Sequence, residues 1–409
     1  MRLLIGLICL TCLPVLAEDL RVSGFGTLGF TVHDSEHYGL RNDISAADGS
    51  FKDEVDFASN SILGLQLDYD FNANLSAVSQ FTYHNQNSFS LDNYISQAYL
   101  RYKPTANWTI RVGRTPLDLF LLTEYRDIGF AYPWAHVPSE VYGILPFRYV
   151  DGADVSYTIP VGQLNFTAKI FTGSSESEFS NYQFPERVKT TSLSGLSLEL
   201  NDYDWLITIK HSQGKFDDNI ASVDELIAGF DFIPISLWPN KQDFIPQLNL
   251  VDSKSSYTSI GGRYDATPIT LMAEFAKVNG DRIMVRDLLN GYLSLAYEWS
   301  QHLVFSYFAF TNADRYDIAN SGLQTALLPA ELSPLASALD AAINYFASNQ
   351  DTTAIGWRYH LNERTALKIQ WDHTKIDENG ATLWINKTRF SSVPADTINT
   401  LSANLSFTF

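Results

Sequence analysis

The sequence predicts an all-β fold: a closed antiparallel transmembrane β-barrel of sixteen up-and-down strands, with its third long loop folded inward. Three observations predict it. Apolar and polar residues alternate in segment after segment, from residue 20 to Phe409, the period of a strand with two unlike faces. Tight connections alternate strictly with longer ones. After the first seventeen residues the chain has no cysteine, no linker and no change of composition that would divide it.

The elements follow in order. "MRLLIGLICLTCLPVLA" carries one positive charge at Arg2, an apolar run from Leu3 to Leu16, and small residues at Val15 and Ala17. This reads as a signal peptide, 1–17, cleaved after Ala17; the run is shorter than the ~20 residues a spanning helix needs. Residues 18–409 then form one barrel domain. "LRVSGFGTLGFTV" (20–32) and "SILGLQLDYDF" (61–71) open it, with Leu63, Leu65, Leu67, Tyr69 and Phe71 on one face. Segments 74–84, 93–102, 108–114, 152–159, 163–171 and 193–200 continue the pattern. So do 204–211, 257–265, 269–277, 291–299, 302–310, 353–361 and 366–373. The last segment, 397–409, puts Leu401, Ala403, Leu405, Phe407 and Phe409 on one face and Ser402, Asn404, Ser406 and Thr408 on the other. Each is close to the ~9–11 residues a tilted strand needs to cross a bilayer.

Seven connections are tight and rich in turn residues: "DFNAN", "KPTAN", "PVGQ", "NDYD", "DATP", "WSQ" and "LNER". The other eight are 33–56, 85–90, 115–148, 174–190, 214–256, 279–289, 314–350 and 377–396. One rim therefore has turns and the other loops, and an even strand number puts both termini on the turn rim. A soluble sandwich would also alternate, but it is not wired as a meander of equal strands. In lipid every backbone group must be paired and no edge left open. A closed barrel meets both demands, and its last strand must be complete because it pairs with the first. Sixteen strands leave a lumen too wide for wall side chains to fill.

Composition excludes several functions. The formal charge is −18, and loss of the segment carrying Arg2 takes it to −19. Such a polyanion is a poor partner for nucleic acid. Both cysteines, Cys9 and Cys12, lie in the signal segment, which removes thiol catalysis and cysteine-based metal or iron–sulfur sites from the domain. No catalysis and no cofactor are expected. The eight histidines form no constellation with a nucleophile, and there is no phosphate loop or metal-spaced pair. A plug-gated active transporter is not expected either, because the first strand starts about three residues after the cleavage site.

These features, with "VSGFGTLGF" near the start and Phe409 at the end, resemble the general porin superfamily of Gram-negative outer membranes over the whole chain after the signal. The resemblance implies a homotrimer in the cell outer membrane, multi-pass, with both termini periplasmic, bathed in outer-membrane lipid and lipopolysaccharide. It implies passive diffusion of small hydrophilic solutes and ions, and makes Phe409 the signal read by the barrel-assembly machinery. A channel specific for a sugar, a dicarboxylate or another anion is the alternative, with an outer-membrane barrel enzyme a distant third; local motifs name no solute. The short second loop connection, "NQNSFS", departs from the many members whose corresponding loop latches onto the neighbouring subunit.

Alternation also assigns the inner face. Arg21, Arg101, Arg111, Lys169, Lys210, Arg263, Arg358 and Lys368 should point inward, with Glu199, Glu274, Glu298 and Asp372. The third loop mixes the apolar anchors Leu119, Phe120, Leu121, Phe130 and Trp134 with Asp118, Glu124, Arg126, Asp127, His136 and Glu140. So many large apolar residues suit a loop packed on a wall. By resemblance its carboxylates face the wall cations across a constriction, Arg101 and Arg111 foremost. Loops 223–248 and 323–348 should pack on each other above the rim, the latter as short helices broken at Pro329 and Pro334. The mouth should be acidic: residues 34–56 carry seven acids against Arg41 and Lys52.

Overall fold

The computed structural model describes residues 19–46, 49–86, 88, 90–181, 184–380, 382–386 and 394–409. The signal segment lies outside these residues. All sixteen expected strands form. They are β1 (Leu20–His33), β2 (Ile62–Asp70), β3 (Leu75–Tyr83), β4 (Ile95–Tyr102), β5 (Trp108–Pro116), β6 (Tyr149–Val161), β7 (Leu164–Asn181) and β8 (Phe184–Asn201). The second half supplies β9 (Trp205–Phe216), β10 (Lys254–Ala266), β11 (Ile269–Gly280), β12 (Leu288–Trp299), β13 (His302–Ala313), β14 (Gln350–Asn362), β15 (Thr365–Ile376) and β16 (Asp396–Thr408). Each pairs antiparallel with its sequence neighbours, and β16 pairs with β1, so the sheet closes.

Closure runs from Phe25 opposite Thr408 to His33 opposite Thr400. It extends one residue past β16, where Gly24 and Phe409 exchange both backbone hydrogen bonds at 2.9 Å. The Phe409 ring lies where a Cβ on Gly24 would stand, 2.2 Å away, and the Phe407 ring lies over Gly26 in the same way. The glycines of the first strand are thus the seats of the last strand's aromatics. Both ends of the described barrel lie at the turn rim, where Asp70 N donates to Asp19 O at 2.9 Å.

The outer face is a belt of aliphatic and aromatic side chains, among them Val22, Leu28, Leu65, Ile209, Leu293, Ile355 and Leu401, each about half exposed in the isolated chain. Lipid, not water, is the solvent that suits it. Near the turn rim the belt ends in an aromatic girdle. Trp108 and Tyr157 lie 4.5 Å apart, and His302 stacks between Trp299 and Trp357 at 5.5 and 5.8 Å. Rings with one polar edge favour the membrane–water boundary.

Three features differ from the sequence reading. Segment 174–190 is not a loop: β7 and β8 continue to Asn181 and from Phe184 as a paired hairpin. The outward positions there are polar because the hairpin has left the bilayer. Arg187 pairs with Glu176 at 2.8 Å, and an apolar-outside criterion stops at the membrane edge. Pro334 does not break a helix. It stands in the first turn of the helix Ser333–Ile343, where a missing N–H costs nothing. Finally, the inner wall of β11–β13 is largely apolar: Met272, Tyr292, Leu303, Phe305 and Tyr307 face inward and are buried beside Glu274 and Ser294.

The loops at 217–253 and 314–349 pack on each other as expected. Trp238, fully buried, donates through Nε1 to Ser321 O at 2.9 Å, and shares a core with Phe230, Leu339 and Ile343. Among the described residues no helix is long and apolar enough to cross a membrane.

Candidate functional site: a polar cleft beside the third loop

The third loop, residues 117–148, leaves β5 and returns to β6. Its apolar residues meet the apolar sector of the inner wall. Trp134 is fully buried, edge-on to Tyr292 at 5.4 Å and to Tyr307 at 5.9 Å, with Nε1 donating to Ser294 at 2.9 Å. The aromatics of β12 and β13 therefore serve as the loop's seat.

Polar anchors fix its position. Lys368, wholly buried, donates to the carbonyls of Gly129, Tyr132 and Trp134, the last two at 2.8 and 2.6 Å. Arg358 donates to Tyr132 O at 3.0 Å and lies over the Phe130 ring at 4.6 Å. Ala135 N donates to Gln370 Oε1 at 2.9 Å, and His136 Nε2 is 3.1 Å from Asp372. Glu140, 1% exposed, accepts from Gln350 at 2.6 Å and from Thr352. Burial raises its carboxyl above the ordinary value, against the two hydrogen bonds. These groups face the wall, so Arg358, Lys368 and Glu140 hold the loop and do not border open space.

The loop's remaining charges fall in two clusters. In the first, Lys210 Nζ donates to Asp118 at 2.5 Å, and Lys169 lies 3.1 Å from the same carboxylate. Arg111 chelates Asp154 at 3.0 and 2.9 Å through Nε and reaches Glu124 at 3.2 Å. Burial opposes ionisation of Asp118, but the two ammonium groups outweigh it and hold the carboxyl well below the usual range. Glu124 is lowered against burial by Arg111 and Lys169. The loop's acids thus touch the wall's cations directly; they do not face them across a gap.

The second cluster joins three distant segments. Arg148 donates to Asp127 at 3.0 Å and to Asp43 at 2.8 Å, and Arg126 Nη2 stands 3.6 Å from Asp43. Asp43, counted among the mouth acids from sequence, belongs instead to this interior cluster; Arg41 of the same loop is 1% exposed. Their own loop folds inward, which a charge count along the chain does not reveal. His84 stands nearby, and burial, with Arg148 adding, pushes its imidazole down to about 4. It is neutral at physiological pH.

Loop residues 123–128 border a polar cleft whose far side is Gln80, Thr82, Ser96 and Gln97 of β3 and β4. A second cavity beside it runs between β1, the first loop and the third loop; Arg126, Asp127, Arg148 and His84 line both. Their volumes are about 80 and 120 Å³. Of the residues expected at the site, Glu124, Arg126 and Asp127 line this cleft. Asp118, Arg111, Lys169 and Lys210 stand behind Glu124. Arg101 is nearer the turn rim, bonded to Ser76 at 3.0 Å and 3.8 Å from Asp68. Arg263 pairs with Asp265 close to the turn rim. Phe409 is at the closure seam.

Sequence reasoning missed Asp154, Arg148, Asp43 and His84. Asp154 could have been found as an acid on the inner register of β6, opposite Arg111; the other three carry no local signal. Among the described residues no group of three or more His, Asp or Glu is placed to hold a metal ion.

The closed barrel of sixteen strands with an aromatic girdle has the fold of Gram-negative outer-membrane porins. The solved structures it is similar to include the anion-selective porin from Comamonas acidovorans, at 12% identity and TM-score 0.52, covering 96% of this chain and 100% of that one. They also include the outer membrane channel DcaP of Acinetobacter baumannii, at 13% identity and TM-score 0.51, covering 95% of this chain and 97% of that one. OmpF of Salmonella typhi, in a complex with daunomycin, is similar at 11% identity and TM-score 0.52, over 95% and 97%. No family model matches the sequence, and no curated protein does.

Proposed function

We propose that the protein is an outer-membrane channel for passive diffusion of small hydrophilic solutes and ions, with the third loop as its constriction. The observation that carries this reading is the division of the inner wall. The apolar sector of β11–β13 is covered by the loop, and the polar sector of β3 and β4 is left facing a charged cleft. Gln80, Thr82 and Gln97 offer replacement hydrogen bonds to a hydrated solute, and apolar solutes gain nothing there. The cleft would be the path; Arg126, Asp127, Arg148 and Glu124 would set its field, with Arg111, Lys169, Lys210 and Asp118 fixing Glu124. The resemblance to porins also supports assembly as a homotrimer, cleavage after Ala17 and periplasmic termini, each a proposal on the same footing.

A solute-specific channel is the second reading. It is favoured by Arg126, Asp127 and Arg148, which line the cleft and the adjoining cavity with fixed charges that a charged solute would meet. Planar-bilayer recording of the purified protein separates the two. A diffusion channel gives ohmic conductance with sugars and dicarboxylates leaving the current unchanged; saturable block by one of them at low millimolar concentration selects the second reading. Absence of any conductance overturns both.

A further inference from the structure

The loops at 217–253 and 314–349 form a lid over one shared core, yet they leave three large apolar side chains uncovered. Phe232, Ile235 and Leu327 are 75, 54 and 65% exposed. The contacts between the loops gather these three. Asn240 stands against Gly322, Trp238 donates to Ser321 O, and Gln324 N donates to Leu237 O at 2.9 Å. The two segments therefore run antiparallel, and Ile235 and Leu327 fall at the same end of the run. Phe232 stands three residues before Ile235, and Gly229 near it packs on Leu335 of the 314–349 loop. Leu237, Leu328 and Leu332 lie part-buried on the same core. A group of exposed apolar residues with a polar rim marks an interaction site, whereas single ones are ordinary.

The charge of the lid selects the partner. Its two loops carry eleven acids against Lys241 and Arg315. Three of the acids are engaged: Asp217 by Lys189 at 3.4 Å, Asp252 by Lys215 at 2.5 Å, and Asp340 by Arg315 at 3.1 Å. The other eight form no ion pair among the described residues, and Asp231, Asp243 and Glu331, near the apolar three in sequence, are exposed. Lys241 is turned inward, its Nζ donating to Phe230 O and Ile233 O at 3.0 Å. The adjoining segment 281–287 is balanced, with Asp281 and Asp287 against Arg282 and Arg286. Such a face repels a second copy of itself and the phosphates of lipid. A metal ion would meet the acids and leave the apolar side chains in water. An amphipathic partner of opposite charge meets both. We infer that the lid is a docking face for a cationic amphipathic polypeptide, with its apolar residues on Phe232, Ile235 and Leu327 and its Lys or Arg side chains on the acids around them. The face stands whether or not the cleft conducts.

The test places an environment-sensitive dye on the thiol of Ser236→Cys, in the exposed stretch beside Ile235; residues 18–409 contain no other cysteine. This barrel, in nanodiscs of zwitterionic lipid, is titrated with a helical peptide of about fourteen residues, leucine on one face and lysine on the other. The dye reports at the lid, so peptide taken up by lipid alone is silent. The expected result is a saturable response, roughly tenfold tighter than for oligolysine of equal charge or for the same helix with Glu in place of Lys. Phe232→Ser, Ile235→Ser and Leu327→Ser together should weaken it roughly tenfold. Asp231→Asn, Asp243→Asn and Glu331→Gln together should weaken it and flatten its dependence on salt. All six positions are exposed, and migration of the unheated protein on a gel checks that each variant is a folded barrel. Equal affinity in wild type and the serine variant would overturn the docking face. Oligolysine or calcium giving the same response as the peptide would make the lid a plain acidic surface and overturn the partner's class. The anionic helix or added lipopolysaccharide binding as tightly as the cationic helix would overturn it too.

Discussion

Glu140 shows how a single carboxyl is used to hold a loop inside a barrel. It is buried on the wall side of the third loop, and burial raises its carboxyl above the ordinary value although two accepted hydrogen bonds oppose the shift. A carboxyl raised in the folded state contributes stability that is fully present below the ordinary carboxylate value and is lost as pH rises through the folded one. Glu140→Gln keeps an acceptor oxygen for Gln350 and Thr352, which share Oε1, and removes the charge. The variant should melt about one to two degrees higher than wild type at neutral pH and together with it near pH 4, followed by circular dichroism in detergent. Equal melting at both pH values would show that Glu140 is not the group that titrates. The cleft residues make the opposite kind of prediction, about current and not stability. Arg126→Ala should shift the reversal potential toward cations, and Asp127→Asn or Glu124→Gln toward anions. The effects should survive at 1 M salt, where charges at the open mouth are screened beyond ~3 Å. Shifts that vanish at high salt would place selectivity at the mouth and not in the cleft.

At the scale of elements, the third loop and the wall it touches are complementary halves of one packing unit. Trp134 stacks with Tyr132, and Phe120 with Tyr142, within the loop, and the wall completes their burial with Tyr292 and Tyr307 of β12 and β13 and Tyr257 of β10. Lys368 ties the far limb of the loop through three carbonyls. Lys368→Met leaves those carbonyls without their donor inside a packed lumen, at a cost of roughly 2–4 kcal/mol. The loop should loosen while the barrel stays closed. Single-channel conductance should rise and become noisier, with β-sheet content unchanged by circular dichroism. Unchanged conductance would mean that the loop does not limit the passage. The long β7–β8 hairpin answers to different physics. Beyond the bilayer its outer face is in water, and its pairing rests on backbone hydrogen bonds and the Arg187–Glu176 ion pair.

For the whole molecule, closure is the property on which the rest depends. An open edge in lipid would leave a row of backbone groups unpaired, so the barrel forms as one cooperative sheet or not at all. The unheated protein should therefore migrate away from its monomer position on a detergent gel and collapse to it on boiling; an oligomer band before heating would support the trimer. Deleting Phe409 removes one pair of seam hydrogen bonds and the ring seated on Gly24. Outer-membrane levels should fall severalfold while the conductance of whatever assembles stays that of wild type. Normal levels would show that neither the seam nor the assembly machinery needs the terminal ring.

Much of this was legible in the chain because it rests on local period and local chemistry. Sixteen alternating segments, turn residues between them and the alternation of short and long links follow from strand geometry and from the cost of unpaired backbone in lipid, and each can be read within a dozen residues. The inward direction of Arg111, Lys169, Lys210 and Lys368 follows from the same period. What the tertiary structure alone decided is which of those groups meet. Asp43, Asp127 and Arg148 come from two loops and have no sequence relation, yet they share two hydrogen bonds. Lys368 and Glu140 are charged and so read as pore lining, but the loop's path over the apolar wall buries both. The apolar inner faces of β11–β13 were hidden for one reason. In a barrel strand both faces can be apolar, one toward lipid and one toward a loop, and only the folded loop shows which inward positions are covered and which are left to water.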